Sequence, residues 1–90
     1  MRADYDSKGD TIQIELVDRV DQVDYGDDGV DEWLIVGMLD GKPVRIDVIG
    51  TDGDTAESLR VAARKYDLDA DALIAAAGAA LSNPDRQVVL

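Results

Sequence analysis

The 90-residue sequence contains neither cysteine nor histidine. Without cysteine, the chain can form no disulfide, no thiolate metal site and no cysteine nucleophile. The lack of histidine removes the commonest general base and the commonest ligand of transition metals. The motifs GxSxG, GxxxxGK[ST] and HExxH are absent as well. We therefore predict that the protein is not an enzyme and that it binds no cofactor.

Aromatic residues and long apolar runs are also scarce. One Trp, three Tyr and no Phe leave aliphatic residues and alanine to fill the core. The longest uncharged apolar run, LIAAAGAAL at residues 73–81, is far shorter than the ~20 residues of a membrane span. Residues 1–30 are acidic and lack the apolar region of a secretory signal. The sequence thus predicts a soluble, cytoplasmic protein with a single domain over residues 1–90.

Basic residues number nine against twenty acidic residues, which gives a formal net charge of −11. Residues 1–54 hold fifteen acids and five bases, a net charge of −10. Residues 55–90 hold five acids and four bases, a net charge of −1. A field of this sign repels the phosphates of nucleic acids and attracts basic proteins. Solubility alone is the alternative explanation of the charge.

Alternating apolar and polar residues predict two β-hairpins within residues 1–50. The first joins a short strand containing Ala3 and Tyr5 to residues 11–17, TIQIELV, through the turn DSKGD. The second joins residues 33–39, WLIVGML, to residues 44–49, VRIDVI. Its turn is Asp40-Gly41, a strong hairpin signal, and Trp33 at its start is assigned to the core.

The segment between the hairpins, DRVDQVDYGDDGVDE at residues 18–32, has seven acids and one base. We predict a loop, with a short irregular strand near residues 20–25 as the alternative. A calcium-binding loop needs an acid at its third position and glutamate at its twelfth. A loop started at Asp24 has Gly26 and Ile35 there, so it does not match, and we predict no metal site. The candidate residues for binding a basic partner are Asp21, Asp24, Asp27, Asp28, Asp31 and Glu32.

Residues 53–83 have the spacing of a helical hairpin. Asp54 can cap the first helix, with Glu57 three positions later as in a capping box. Asp69 can cap the second helix, which Asn83-Pro84 ends. The tail, residues 84–90, closes with QVVL, which is predicted to add a final strand or to continue past the given chain.

The helical hairpin has the outline of a helix-turn-helix DNA-binding motif. A recognition helix usually carries Arg, Lys, Asn or Gln to the base edges. Residues 69–82 contain none of these four residue types, and Asp69 and Asp71 stand where the helix would approach the bases. We therefore predict a packing element, and a helix-turn-helix transcriptional regulator remains the alternative function.

The second helix is apolar on nearly all sides. Ala70, Leu73, Ile74, Ala77 and Leu81 follow one face, and Ala75, Ala76, Gly78, Ala79 and Ala80 cover the other. Such a helix is usually buried on two sides, whereas a sheet can cover only one. A glycine inside a helix costs about 1 kcal/mol relative to alanine, and a close backbone approach would explain it. We hypothesise a homodimer formed through Ala75, Gly78 and Ala79; burial within one chain is the alternative.

The N-terminal half combines a Tyr-Asp start, a turn with Asp, an Ile-x-Leu strand and a later Asp-Gly hairpin that ends in Ile-Asp. The residues concerned are Tyr5, Asp6, Asp10, Ile14, Leu16, Asp40, Gly41, Ile46 and Asp47. In these residues the chain resembles the start of a family of small bacterial domains of unknown function. The resemblance covers about residues 3–50; Arg45 stands where the family often has glycine, and the helical part lies outside it. Some members are encoded beside toxin-like proteins, so the resemblance implies an antitoxin-like role.

Together these patterns predict an α+β fold, in which an antiparallel β-meander of two hairpins is followed by two α-helices packed on one face. The predicted function is a small acidic protein-interaction module, antitoxin-like, that binds a basic protein partner.

Overall fold

A computed structural model describes all residues from 1 to 90 and confirms the α+β prediction. Two helices follow five strands, and a sixth strand closes the chain. In chain order the elements are β1 Arg2–Asp6, β2 Thr11–Glu15, β3 Tyr25–Asp31, β4 Leu34–Leu39, β5 Lys42–Val48, α1 Thr55–Tyr66, α2 Ala70–Ser82 and β6 Gln87–Val89.

The strands form one antiparallel sheet with the order β3-β4-β5-β2-β1-β6. Both predicted hairpins are present, as β1 with β2 and as β4 with β5. The pairing of β5 with β2 joins the two hairpins into one sheet, with Ile14 opposite Ile46. The predicted final strand is confirmed as β6, which pairs with β1 at the sheet edge.

The loop predicted at residues 18–32 is wrong in its second half, where β3 forms the other edge of the sheet. Aspartate and glycine disfavour strands, so propensity alone argues against β3. Pairing with β4 overrides that propensity, although the register shifts between Asp27 and Asp31. Gly26 lies opposite Gly37, and a Cβ atom at Gly26 would stand only 2.7 Å from Ile35 Cγ2. The glycines thus let β3 lie closely against β4.

Aspartates cap both helices, as the sequence predicts. Asp54 accepts a hydrogen bond from Glu57 N at 3.0 Å, and Asp69 accepts one from Ala72 N at 3.1 Å. These bonds satisfy backbone donors that the first helical turn leaves free. The Glu57 side chain contacts Arg60 and Arg64 instead of completing a capping box.

The core lies between one face of the sheet and the two helices. Ile12, Ile14, Val36 and Ile46 on the strands, and Leu59 on α1, are fully buried. On α2 the buried residues are Leu73, Ala76, Ala77 and Ala80. No helix is both long and apolar enough to span a membrane.

The buried face of α2 differs from the predicted one. Ala76 and Ala80, which the sequence assigns to the opposite side, lie in the core, whereas Leu81 is 40% exposed. The small side chains of Ala76 and Ala80 let the helix axis approach the sheet. A leucine on this side of the helix would hold the axis farther away. Trp33 is only partly buried, and its indole packs against Gly50 and Gly53.

Candidate functional site

Among the predicted partner-binding residues, Asp27 lies inside an intramolecular cluster. Its Oδ2 atom accepts hydrogen bonds from Lys65 Nζ at 2.6 Å and from the Tyr66 hydroxyl. Its Oδ1 atom accepts from Gly29 N at 3.0 Å. The bonds from Lys65, Tyr66 and Gly29 lower the pKa of Asp27 to about 2. The hydrogen bond to Asp27 raises the pKa of Tyr66 to about 12. Asp27 therefore ties β3 to the end of α1.

Two further predicted residues also serve the fold. Asp31 Oδ2 accepts hydrogen bonds from Trp33 N at 2.9 Å and from Ser58 Oγ at 2.8 Å. Ser58 is 3% exposed, so this bond satisfies a buried hydroxyl. Asp24 Oδ2 accepts from Asp40 N at 3.0 Å and holds the loop against the β4–β5 turn.

Asp21, Asp28 and Glu32 are exposed, and their side chains take part in no hydrogen bond or ion pair of the structure. The predicted set therefore divides into three carboxylates engaged within the chain and three that face solvent. Binding of a partner by any of the six stays a prediction.

A second acidic surface lies on the face of the sheet that the helices leave uncovered, which we call the open face. Side chains alternate along each strand, so the neighbours of the buried Ala3, Ile14 and Ile46 point to the open face. Asp4 lies opposite Gln13, and Gln13 lies opposite Asp47. This row crosses three adjacent strands.

The open face curves into a concavity of about 580 Å³ over β1, β2 and the start of β6. Its lining combines four carboxylates with one guanidinium, so it is negatively charged. The residues that line it are Asp4, Tyr5, Asp6, Gln13, Glu15, Asp85, Arg86 and Gln87.

Asp4 on the open face has no base opposite it, because its neighbours in the register are Gln13 and Gln87. Glu15, in contrast, lies opposite Arg2 and Arg45. Burial raises the pKa of Asp4, and repulsion from Glu15, Asp47 and Asp6 raises it further. Burial also raises the pKa of Asp47, although Arg45 Nε lies 3.3 Å from Asp47 Oδ2 and opposes the rise. A cation brought to this face would relieve the repulsion that raises the pKa of Asp4.

The sequence prediction missed this surface. Its signal is the alternation of β1, β2 and β5, which directs Asp4, Glu15 and Asp47 away from the core. The signal is incomplete because the order of strands, and therefore which acids are neighbours, depends on the pairing of β2 with β5.

The predicted self-association residues lie on the outer side of α2. Ala75 and Gly78 are exposed and Ala79 is half-buried. Apart from its chain neighbours and the nearby backbone of α2, no atom lies within 4 Å of the position that a Cβ atom of Gly78 would take, so no packing contact within the chain explains the glycine. Beside Gly78, an apolar groove of about 180 Å³ runs between the helices, lined by Leu59, Ile74 and Leu81 among others. Dimerisation through this side remains a hypothesis.

No group of three or more acidic side chains has an arrangement that could hold a metal ion. No protein-family model matches the chain, and no curated protein or solved structure shows significant similarity to it. The resemblance to the family of small bacterial domains therefore stays a prediction, and the chemistry of the surface carries the functional argument.

Proposed function

We propose that the protein is an interaction module that binds a basic segment of a protein partner on the open face of its sheet. The observation that carries the proposal is the concavity in which Asp4, Asp6, Glu15 and Asp85 face a single Arg86. Most of this surface lies on paired strands, and its lining holds four acidic side chains and one basic one.

Electrostatics supports a cationic partner in two ways. The N-terminal half, with its net charge of −10, attracts basic proteins over a distance of several ångströms and raises the rate of encounter. At short range, a lysine or arginine in the concavity would offset the repulsion among Asp4, Glu15 and Asp6. The first effect sets the approach, and the second favours one docking position.

An antitoxin-like role is compatible with this mode of binding. An acidic module that covers the basic surface of a partner would block whatever that surface contacts, including nucleic acid. The resemblance of residues 3–50 to domains encoded beside toxin-like proteins supports this part of the proposal. The chemistry of the concavity alone supports only the basic partner.

No specific observation favours the alternative of a helix-turn-helix regulator. The buried side of α2, which includes Leu73, Ala76 and Ala80, packs on the sheet. Residues 69–82 offer solvent no lysine, arginine, asparagine or glutamine. Salt-sensitive binding of duplex DNA in a gel shift would revive this function and count against the proposed one.

The test compares two triple variants with equal net charge. Asp4→Asn/Asp6→Asn/Glu15→Gln neutralises the open face, and Asp21→Asn/Asp28→Asn/Glu32→Gln neutralises the solvent-facing acids of the loop. The probe is a fluorescent peptide of about ten residues, half lysine and half threonine, followed by anisotropy at low and at physiological salt.

We expect the open-face triple variant to weaken binding about tenfold, which corresponds to about 1.4 kcal/mol. The loop variant should weaken it at most about threefold, because those acids contribute only the long-range field. Equal losses in the two variants would mean that the peptide senses net charge alone, and no binding by the wild-type protein would contradict the proposal altogether.

A further inference from the structure

The outer edge of β6 indicates how a segment of the partner can bind. β6 is the last strand in the sheet order and pairs only with β1. Its other edge therefore carries backbone N–H and C=O groups that no strand of the chain meets. Such an edge is a template for an additional strand.

Hydrogen bonding along β1 and β6 identifies the free groups. Leu90 N donates to Met1 O at 2.9 Å, so residues 1 and 90 form a hydrogen-bonded pair. Such pairs alternate with non-hydrogen-bonded pairs in an antiparallel ladder. Ala3 and Val88 are then the next hydrogen-bonded pair, and the N–H and C=O groups of Gln87 and Val89 point outward.

The two edges of the sheet differ in how well they are protected. β3 at one edge contains aspartates, two glycines and a register shift, which are features that discourage pairing with another chain. β6 contains no charge, no proline and no bulge, and Val89 is 71% exposed. Apart from its short length of three residues, β6 thus lacks such protective features, and it is the edge beside the acidic concavity.

The position of β6 also decides the chemistry of the added strand. Gln87 lies opposite Asp4, so it and Val89, two residues on, face the open side of the sheet. Every second side chain of a strand added to β6 would face that side too. Cationic side chains there could reach Asp4 across Gln87, or Asp85 beside the start of β6. A second copy of this chain does not fit the edge as well, because its β6 carries no cation and its net charge is −11.

We propose that β6 receives an extended segment of a basic partner as a seventh strand, with lysine or arginine at alternate positions over the acidic concavity. This inference rests on the proposed function and specifies the conformation of the bound segment. Backbone hydrogen bonds to Gln87 and Val89 hold the segment, and the concavity selects its charge.

The test separates strand addition from simple charge attraction. Two peptides of the same composition are compared, one with lysine and threonine alternating and one with all lysines in a single block. In the alternating peptide, all lysines project to one face of a strand. We expect the wild-type protein to bind the alternating peptide about tenfold more tightly than the blocked one.

Val89→Pro is the decisive variant, because it removes an outward N–H without touching the hydrogen bonds to β1. It should lower the affinity for the alternating peptide to that for the blocked one, whereas Val89→Thr should keep the difference. In the wild-type protein, the alternating peptide should also slow hydrogen exchange at the amides of Gln87 and Val89. This second readout does not depend on how the proline variant folds.

Equal affinities of the wild-type protein for the two peptides, or unprotected amides at Gln87 and Val89, would overturn strand addition. If both peptides still lose affinity in the open-face triple variant, the proposed function stands without the added strand. If neither peptide binds, the proposed function itself fails.

Discussion

The two acidic surfaces of this protein use carboxylates in opposite ways. Near β3, Asp24, Asp27 and Asp31 accept hydrogen bonds from backbone and side-chain donors, and the pKa of Asp27 falls to about 2. On the open face, the pKa of Asp4 rises because burial and neighbouring acids disfavour its charge. The carboxylates of the first surface stabilise the fold through hydrogen bonds. On the second surface Asp6 and Asp85 also accept hydrogen bonds from the turn and from Ser7, whereas Asp4 and Glu15 accept none. Acidic composition alone therefore does not locate a binding surface.

The largest effect we expect within this comparison is from Asp31→Ala. The variant removes the acceptor of Trp33 N and of the buried Ser58 hydroxyl, and an unsatisfied buried donor costs about 1–3 kcal/mol. We expect a loss of about 2 kcal/mol in the free energy of unfolding, measured by urea denaturation with tryptophan fluorescence. The neighbouring Glu32→Ala variant should change it by less than about 0.5 kcal/mol. Similar losses in both variants would erase the distinction between engaged and free acids.

The pH dependence of stability should also separate the two surfaces. Asp27 has a folded pKa of about 2, below the value of about 3.9 for an unfolded aspartate, so its contribution is present above pH 4 and is lost toward pH 2. Asp4 and Asp47 have raised pKa values, so their unfavourable contribution is relieved as pH falls toward about 4.

Urea midpoints measured from pH 7 to pH 2 should therefore rise slightly and then fall steeply. The Asp27→Asn variant should have a lower free energy of unfolding than the wild-type protein at pH 7. Below pH 4 its free energy of unfolding should fall less steeply with pH, because unfolding of the variant takes up fewer protons, by at most about one. Two other aspartates still titrate in this variant. Hydrogen bonds from Thr51 lower the pKa of Asp10, and hydrogen bonds from Ser7 lower the pKa of Asp85. A curve parallel to that of the wild-type protein would show that Asp27 is not held as described.

The smallest effect, and one of opposite sign, is expected from Asp4→Asn. Removing one charge from mutually repelling carboxylates should stabilise the protein by a few tenths of a kcal/mol at low salt, since solvent still screens this partly buried group. The gain should disappear at high salt, and Asp28→Asn should show none. A destabilised Asp4→Asn would mean that the open face is already neutralised.

Local features of the fold are predictable from the sequence because neighbouring residues determine them. The caps at Asp54 and Asp69 and the Asp40-Gly41 turn are examples. β3 is different: its Asp and Gly residues disfavour a strand, and only pairing with β4 forms it. The rotation of α2 is likewise set by how closely Ala76 and Ala80 can approach the sheet.

Half of the predicted partner-binding residues illustrate why the site is harder to predict than the fold. Aspartate serves as a charge, as a hydrogen-bond acceptor and as a residue that tolerates left-handed backbone conformation. A count of acids cannot separate these uses. The non-glycine residues with positive φ are all aspartates, namely Asp10, Asp40, Asp67 and Asp85. The concavity, in turn, needs β1, β2 and β6 side by side, which local sequence does not specify.

The pairing of β6 with β1 has a consequence for the order of folding. Arg2 meets Val89, so this ladder closes a loop of nearly the whole chain, whereas β1 with β2 and β4 with β5 close short ones. Loop-closure entropy delays such distant contacts until nearer ones have formed. We therefore expect β6 to join the sheet late and to detach early, so that the acidic concavity, whose lining includes Gln87 of β6, is completed only when this last strand arrives.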